Sequence, residues 1–108
     1  MEVRHTRNAG STVVEITGRL DTITSGAFET EILGLLESED MNMLIDCSGL
    51  EYISSTGLRV LLMAQKKMLG KGGSLSLCCL QPGIEEIFSI SGFSSIFSIY
   101  PDRQAAGQ

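Results

Sequence analysis

Segments that favour β-strands alternate along this chain with segments that favour helices. Thr12 to Thr17 is rich in β-branched residues, Met41 to Asp46 is almost continuously apolar, and Ser74 to Leu80 begins with strict alternation. Phe28 to Leu36 and Gly57 to Leu69 instead repeat apolar residues with the period of an amphipathic helix. Because strands separated by helices are joined by crossover connections, this alternation predicts a mostly parallel sheet.

Three further segments complete the predicted fold. Glu2 to Thr6 is predicted to form a first strand, joined to the second by a hairpin turn at Asn8 to Gly10, which adds an antiparallel pair. Pro82 favours the start of a third helix, and Ser95 to Ile99 is predicted to form the last strand. We therefore predict one α/β domain with a mixed, mostly parallel five-stranded sheet in the order β-β-α-β-α-β-α-β, ending in a frayed tail at about 101–108.

Charge and hydropathy narrow the choice of partners. The formal net charge is -5, from 13 acidic and 8 basic residues, which argues against direct binding to nucleic acid and to anionic membranes. No apolar run approaches the roughly 20 residues of a membrane-spanning helix, and the first residues lack the apolar core of a signal peptide. These features predict a cytoplasmic protein that does not insert into a membrane.

The cysteines agree with a reducing compartment. There are 3 of them, an odd number, and they include an adjacent pair but no C-x-x-C motif. Cys78 and Cys79 lie in an apolar run, where they are expected to face opposite sides of a strand as small buried side chains. This pattern predicts no metal site.

The residue patterns of common enzymes are missing from the sequence. His5 is the only histidine and lies in the predicted first strand, without a nucleophile or an orienting carboxylate beside it. Lys71 to Gly73 follows a helix and lacks the spacing of a phosphate-binding loop. Together these observations favour a binding protein that is not an enzyme and has no cofactor.

The stretch from Asp46 to Arg59 joins the predicted third strand to the second helix. Asp46 to Leu50 is predicted to form a turn, which the Asp46 side chain is expected to fasten. Ser54, Ser55 and Thr56 then precede the helical run, although one N-cap needs only one hydroxyl. A helix N-terminus also favours a phosphate. By itself, such a cluster is most often a cap and a polar loop.

The second helix has two predicted faces. One is apolar and is expected to face the core, and it contains Leu58, Leu61, Leu62 and Leu69, with Gln65 between them. The opposite face is basic apart from one methionine, and it contains Arg59, Met63, Lys66 and Lys67. A flexible methionine on an outward face is a candidate contact for a partner protein.

The longer sequence around the hydroxyl cluster resembles a known family. Asp46-Cys47-Ser48-Gly49-Leu50 and Tyr52-Ile53-Ser54-Ser55-Thr56-Gly57-Leu58-Arg59 are similar to the signature of STAS domains, above all the single-domain anti-sigma factor antagonists of bacteria. This resemblance implies that Ser55 is phosphorylated by a kinase that is also the anti-sigma factor. It also implies that a serine phosphatase removes this phosphate. Gly18-Arg19-Leu20-Asp21 resembles the family's second motif, which implies that Asp21 lies beside that serine.

The resemblance implies a phosphorylation-controlled protein–protein switch that frees a sigma factor or an analogous regulator. Its expected partner surface comprises Asp21, Ser54, Ser55, Thr56, Gly57, Leu58, Arg59 and Met63. Many antagonists have an aspartate where this chain has Ser54, so Ser54 and Thr56 are alternative phosphorylation sites. Two other functions stay open: a constitutive STAS subunit of a lipid-transport or stress-sensing complex, and a small-ligand or nucleotide binder using a crevice between Asp21 and Ser55.

Overall fold

The structure is a computed structural model, which describes residues 1–8 and 10–107. The elements follow one another as β1 (Glu2–Asn8), β2 (Ser11–Leu20), α1 (Ser25–Leu36), β3 (Asn42–Ile53), α2 (Ser55–Gly70), β4 (Ser74–Cys78), α3 (Pro82–Ile90), a 3-10 turn (Phe93–Ser95) and β5 (Ser98–Tyr100). This order confirms the predicted fold class. The predicted turn between β1 and β2 includes Ala9, which lies outside the described residues.

The strands form one sheet in the spatial order β1-β2-β3-β4-β5, with β1 antiparallel to β2 and the other pairs parallel. Alternate strand residues, such as Val14, Ile45 and Leu77, pack in the same core as Phe28 of α1 and Phe88 of α3. All three helices therefore cover one face of the sheet, as expected when successive right-handed crossovers run in one direction. No helix among the described residues has the length and apolar character that a membrane span requires.

The predicted turn at Asp46 to Leu50 is wrong, because β3 continues through it to Ile53. Strand β2 is also longer than predicted and pairs with this part of β3 as far as Leu20. The pairing shifts register twice, between Glu15 and Thr17 and between Gly18 and Arg19. The turn-favouring residues therefore remain part of β3, because β2 supplies hydrogen-bond partners beside them. Their effect is limited to shifts in the register of the β2–β3 pairing. The last strand is likewise shifted from the predicted Ser95–Ile99 to Ser98–Tyr100.

The chain end covers the sheet face opposite the helices. Val13, Leu44 and Cys78 are buried there, with Tyr100 and Ala106 packed against them. Arg103 and Ala106 therefore anchor the described residues 101–107 by tertiary contacts, whereas the sequence predicted a frayed tail. Strand alternation places apolar side chains on both faces of the sheet, and the returning chain end helps to shield those that the helices do not cover.

An ion pair fastens this chain end to β3. Arg103 Nε donates to Asp46 Oδ2 at 2.7 Å, and its Nη2 lies 3.3 Å from Glu15 Oε2. Asp46 Oδ1 accepts from the backbone N–H of Ser48 at 2.9 Å, so the carboxylate also fastens the local backbone, as the sequence predicted. Burial by itself raises the pKa of the Asp46 carboxyl, but the Ser48 and Arg103 hydrogen bonds together hold this pKa below its ordinary value.

Replacing Arg103 by methionine is expected to lower the free energy of unfolding by about 1 kcal/mol at neutral pH, since solvent screens part of this ion pair. A carboxyl whose pKa is lowered by folding stabilises the protein above its unfolded pKa and loses that contribution as the pH falls. Wild-type protein should therefore lose more stability than the variant between about pH 6 and about pH 3. Urea unfolding at both pH values measures this difference.

Arg4→Met is the matched control for this prediction, because the Arg4–Glu2 pair is exposed, with 76% and 57% of the two side chains accessible. Removing such a pair should change stability by less than about 0.5 kcal/mol. Equal unfolding free energies for Arg103→Met and wild type at neutral pH would contradict an anchoring role for Arg103.

The prediction that Cys78 and Cys79 face opposite sides is wrong. Strand β4 ends at Cys78, and Cys79 has a φ of 63°, in the left-handed region that side chains rarely adopt. This conformation brings the two Sγ atoms to 3.5 Å from each other. Cys78 is buried as predicted, but Cys79, which was also predicted to be buried, is only half-buried. Burial, followed by the hydrogen bond from Cys79, raises the pKa of Cys78 to about 12.

Candidate docking and phosphorylation site

The three hydroxyl residues at the start of α2 have different roles. Ser54 is the N-cap: its backbone is extended and its Oγ accepts from the backbone N–H of Gly57 at 3.1 Å. Its carbonyl oxygen accepts from the N–H of Leu58 at 2.9 Å. The sequence left open which hydroxyl caps the helix, and the structure assigns that role to Ser54.

Ser55 is the first residue of α2 and is exposed, whereas Ser54 and Thr56 are half-buried. Within the described residues, neither the Ser55 hydroxyl nor the backbone N–H groups of Ser55 and Thr56 make a hydrogen bond. Unpaired N–H groups at a helix N-terminus carry a partial positive charge. Ser55 is therefore the hydroxyl best placed for modification, with donors beside it for an added anion.

A backbone hydrogen bond joins the two loops that the sequence predicted to meet. The N–H of Ser54 donates to the carbonyl oxygen of Leu20 at 2.9 Å, where parallel strands β2 and β3 end side by side. Asp21 and Ser55 each lie one residue beyond this bond. The carboxyl edge of a parallel sheet is a common location for binding sites, because loops from adjacent strands converge there.

The Asp21 carboxylate holds its own loop. Its Oδ1 accepts from the N–H groups of Ile23 and Thr24 at 3.0 Å each, and Arg19 Nε lies 3.7 Å from Oδ2. The bond from the Thr24 N–H is the main reason that the pKa of Asp21 is lowered, with desolvation opposing it. In the described part of the chain, this carboxylate makes no hydrogen bond to residues 54–56. Asp21 thus shapes the edge of the site and adds negative charge there.

Ile23 is a surface residue that the sequence patterns did not single out. Its side chain is 90% exposed, although the Asp21 hydrogen bond fixes its backbone. An apolar side chain on an ordered loop costs less to bury against a partner than one on a mobile loop, because the backbone that carries it is already fixed. The only signal in the sequence is an isoleucine between Thr22 and Thr24 in a polar loop.

The first turn of α2 packs tightly against β2. Gly57 is buried, and a Cβ there would lie 2.7 Å from Leu20 Cγ and 3.0 Å from the Leu20 carbonyl oxygen. Leu58 is also buried, at 8% exposure. Both residues belong to the predicted partner surface, but in this structure they position the start of the helix and are closed to direct contact.

The outer face of α2 differs in part from the predicted one. Leu69 was predicted to face the core but is 58% exposed, and Val60, Ala64 and Met68 are buried instead. The buried stripe is centred on Leu61 and Gln65, whose amide donates to Ile96 O at 3.1 Å and accepts from Leu75 N at 3.2 Å. These two bonds connect the buried side of the helix to β4 and to the segment before β5.

Met63 is half-buried and packs on the core, although it was predicted to face fully outwards. It also lines an open groove of about 360 Å³, here called the α2 groove, together with Arg59, Leu62, Lys66 and Lys67. The groove has an apolar floor and three cations at its rim. This combination suits an amphipathic partner segment that carries acidic residues.

Three comparisons with known proteins agree with one another. A family model described as the STAS domain matches residues 1–106. BtrV of Bordetella bronchiseptica, a candidate anti-sigma factor antagonist, is 35% identical over 97 residues, covering 90% of this chain and 84% of that protein. An anti-sigma F factor antagonist of Paenibacillus polymyxa is 27% identical over 104 residues, covering 95% and 87%. The crystal structure of an anti-sigma factor antagonist from Mycobacterium paratuberculosis superimposes with a TM-score of 0.86 at 26% identity, covering 94% and 86%.

Proposed function

Because this chain belongs to the STAS domain family, among the anti-sigma factor antagonists, we propose that it is a phosphorylation-controlled antagonist of a kinase-type anti-sigma factor. The unmodified form binds that kinase and displaces the sigma factor or analogous regulator that it holds. Phosphorylation of Ser55 ends the interaction, and a serine phosphatase restores it. In this proposal the chain is a binding protein and the chemistry belongs to its partners.

The observation that carries the proposal is the division of roles between Ser54 and Ser55. Ser54 caps α2, so Ser55 is exposed and free of structural hydrogen bonds within the described residues. A phosphoryl group on Ser55 would lie at the positive end of α2, near the unpaired N–H groups of the first turn. The modification can therefore change the surface while the fold is retained.

Charge explains why the phosphate would act as a switch. A phosphoryl group adds about -1.5 to -2 charges at neutral pH. It would join the Asp21 carboxylate at an edge where the unmodified protein presents a neutral hydroxyl and the apolar side chain of Ile23. A partner surface that fits the unmodified edge, with one carboxylate and a neutral Ser55 hydroxyl, must then also desolvate a dianion or leave the contact. The α2 groove, with its cations, remains available to acidic groups of the partner.

Mapping of phosphorylated residues in protein recovered from its native cells tests this proposal. We expect one phosphate in the segment from Tyr52 to Arg59, absent from Ser55→Ala and retained by Ser54→Ala, which loses only the cap. Phosphate that persists in Ser55→Ala would move the site to Ser54 or Thr56. Unmodified protein under both growth and stress conditions would instead favour the constitutive subunit.

Replacing Ile23 by serine is expected to weaken binding of the anti-sigma factor about tenfold, because an apolar anchor buried in an interface typically contributes more than about 1 kcal/mol. Stability should change by less than about 0.5 kcal/mol, since the side chain is already in solvent. Titration calorimetry with the purified kinase and urea unfolding measure the two effects.

Ile90→Ser is the matched control for Ile23→Ser. Ile90 is 79% exposed and is the last residue of α3. Because α3 begins at the carboxyl edge of the sheet, Ile90 lies at the end of the helix away from that edge. Its replacement should leave the affinity unchanged. If Ile23→Ser binds the kinase as tightly as the control, the β2–α1 loop lies outside the docking surface.

A further inference from the structure

Asp46, Cys78 and Cys79 form a cluster on the sheet face away from the helices. One carboxylate oxygen and the two Sγ atoms all lie within 4.8 Å of one another. Asp46 and Cys78 are register partners on adjacent parallel strands, so the sheet itself sets their separation. The carboxylate and the thiols of this cluster are far apart in sequence, because α2 lies between them. Ligand spacing along the chain therefore did not predict the cluster.

The backbone at Cys79 completes the cluster. In a continued strand its side chain would face the helices, but the left-handed φ of 63° turns it beside Cys78, with Sγ atoms 3.5 Å apart. Two thiolates bound to one tetrahedral zinc ion at about 2.3 Å would lie about 3.8 Å apart. The observed separation is thus close to that of a bound pair. Cys79 is half-buried, so solvent reaches one side of the cluster.

The Asp46 carboxylate can accept a further ligand bond. Oδ1 accepts one hydrogen bond from Ser48 N and Oδ2 accepts one from Arg103 Nε. Each oxygen of an ionised carboxylate has two lone pairs, so both oxygens retain capacity. Hydrogen bonds of this kind orient ligating carboxylates in metal sites and hold them in place.

We propose that Asp46, Cys78 and Cys79 bind a thiophilic divalent cation of the zinc type, with a water molecule as fourth ligand. The ion brings two positive charges, and each thiol releases one proton to solvent to become a thiolate. The sum of charges at the cluster, including Arg103, is therefore the same before and after binding. Thiolate ligands select zinc-like ions over magnesium and calcium. This proposal is independent of the proposed function, since the cluster lies on the other face from α2.

Cadmium chloride is the probe for the test, added to the untagged full chain in a reducing buffer. We expect one ion per chain by equilibrium dialysis, with the ultraviolet charge-transfer band of cadmium–thiolate bonds. Cys79→Gly should lose the band and keep the fold, because glycine adopts a left-handed φ without strain. Asp46→Asn should bind cadmium at least about tenfold more weakly, since a carboxylate ligand is lost.

Cys47→Ala is the matched control, because Cys47 is a buried cysteine that belongs to the core on the helix side of the sheet. It should retain both the band and the stoichiometry. A band that persists in Cys79→Gly, a band lost in Cys47→Ala, or reduced wild-type protein without a band would each overturn the proposal. Circular dichroism of every variant separates loss of the ion from loss of the fold.

Discussion

Phosphorylated Ser55 is expected to reduce the affinity for the anti-sigma factor about a hundredfold or more, which corresponds to roughly 3 kcal/mol. The modification places about -1.5 to -2 charges at the sheet edge that also carries the ionised Asp21, where the unmodified protein offers a hydroxyl. Ser55→Asp carries less charge and should weaken binding less, whereas Ser55→Ala should bind as tightly as wild type. Calorimetric titrations of the four forms with the purified kinase measure this order.

The stability of these forms distinguishes an exposed switch from a structural cap. A negative group at the first position of α2 interacts favourably with the helix dipole, by about 0.3–1 kcal/mol. Ser55→Asp should therefore be as stable as wild type or slightly more stable. Ser54→Ala should lose about 1 kcal/mol, because it removes the hydrogen bond to the Gly57 N–H. If Ser55→Asp lowers the stability, or if Ser54→Ala leaves it unchanged, then the assignment of Ser54 as the cap and Ser55 as the exposed switch is wrong.

Gly57→Ala is expected to lower the free energy of unfolding by about 1–3 kcal/mol, the usual cost of overpacking a core. The added Cβ would meet Leu20 Cγ at 2.7 Å and Ile53 Cγ1 at 3.0 Å, and the Leu20 carbonyl oxygen also lies at 3.0 Å. Leu20 is fully buried and its carbonyl accepts from Ser54, so neither group can move freely. Because the shift would displace the start of α2, we also expect weaker kinase binding.

Gly34→Ala provides the comparison for Gly57→Ala. Gly34 lies within α1, and a Cβ added there would meet no atom within 4 Å apart from its chain neighbours and the adjacent backbone of its own helix, so alanine should gain about 0.5–1 kcal/mol from helix propensity. Urea unfolding should thus give effects of opposite sign at the two glycines. A gain in stability for both variants would show that the contact between Gly57 and Leu20 is loose.

Local patterns in the sequence carried most of the fold. The apolar period marked α1 and α2, β-branched and apolar runs marked β2 and β3, and Pro82 marked the start of α3, as observed. The crossover rule then implied the mixed sheet. These predictions succeeded because periodicity and capping chemistry act over a few residues, a range that the sequence itself displays.

The ends of the strands and the structure of the chain end depended on contacts between segments that are distant in sequence. Asp46 to Leu50 has the composition of a turn, yet β2 extends beside it and makes it part of a strand. The tail after Tyr100 has few apolar residues, yet Arg103 reaches Asp46 across the sheet. Local propensity is weak against such tertiary pairing, so the sequence predicted both segments incorrectly.

The sequence by itself determined the α/β order, the position of the hydroxyl cluster before α2 and the family motif that points to Ser55. Only the tertiary structure decided that Ser54 is the cap, that Gly57 is a packing contact and that Ile23 is exposed. It alone brought Cys78 and Cys79 beside Asp46. The physical reason is that burial and hydrogen-bond partners depend on distances between remote segments, whereas helical period, strand alternation and cap chemistry are properties of neighbouring residues.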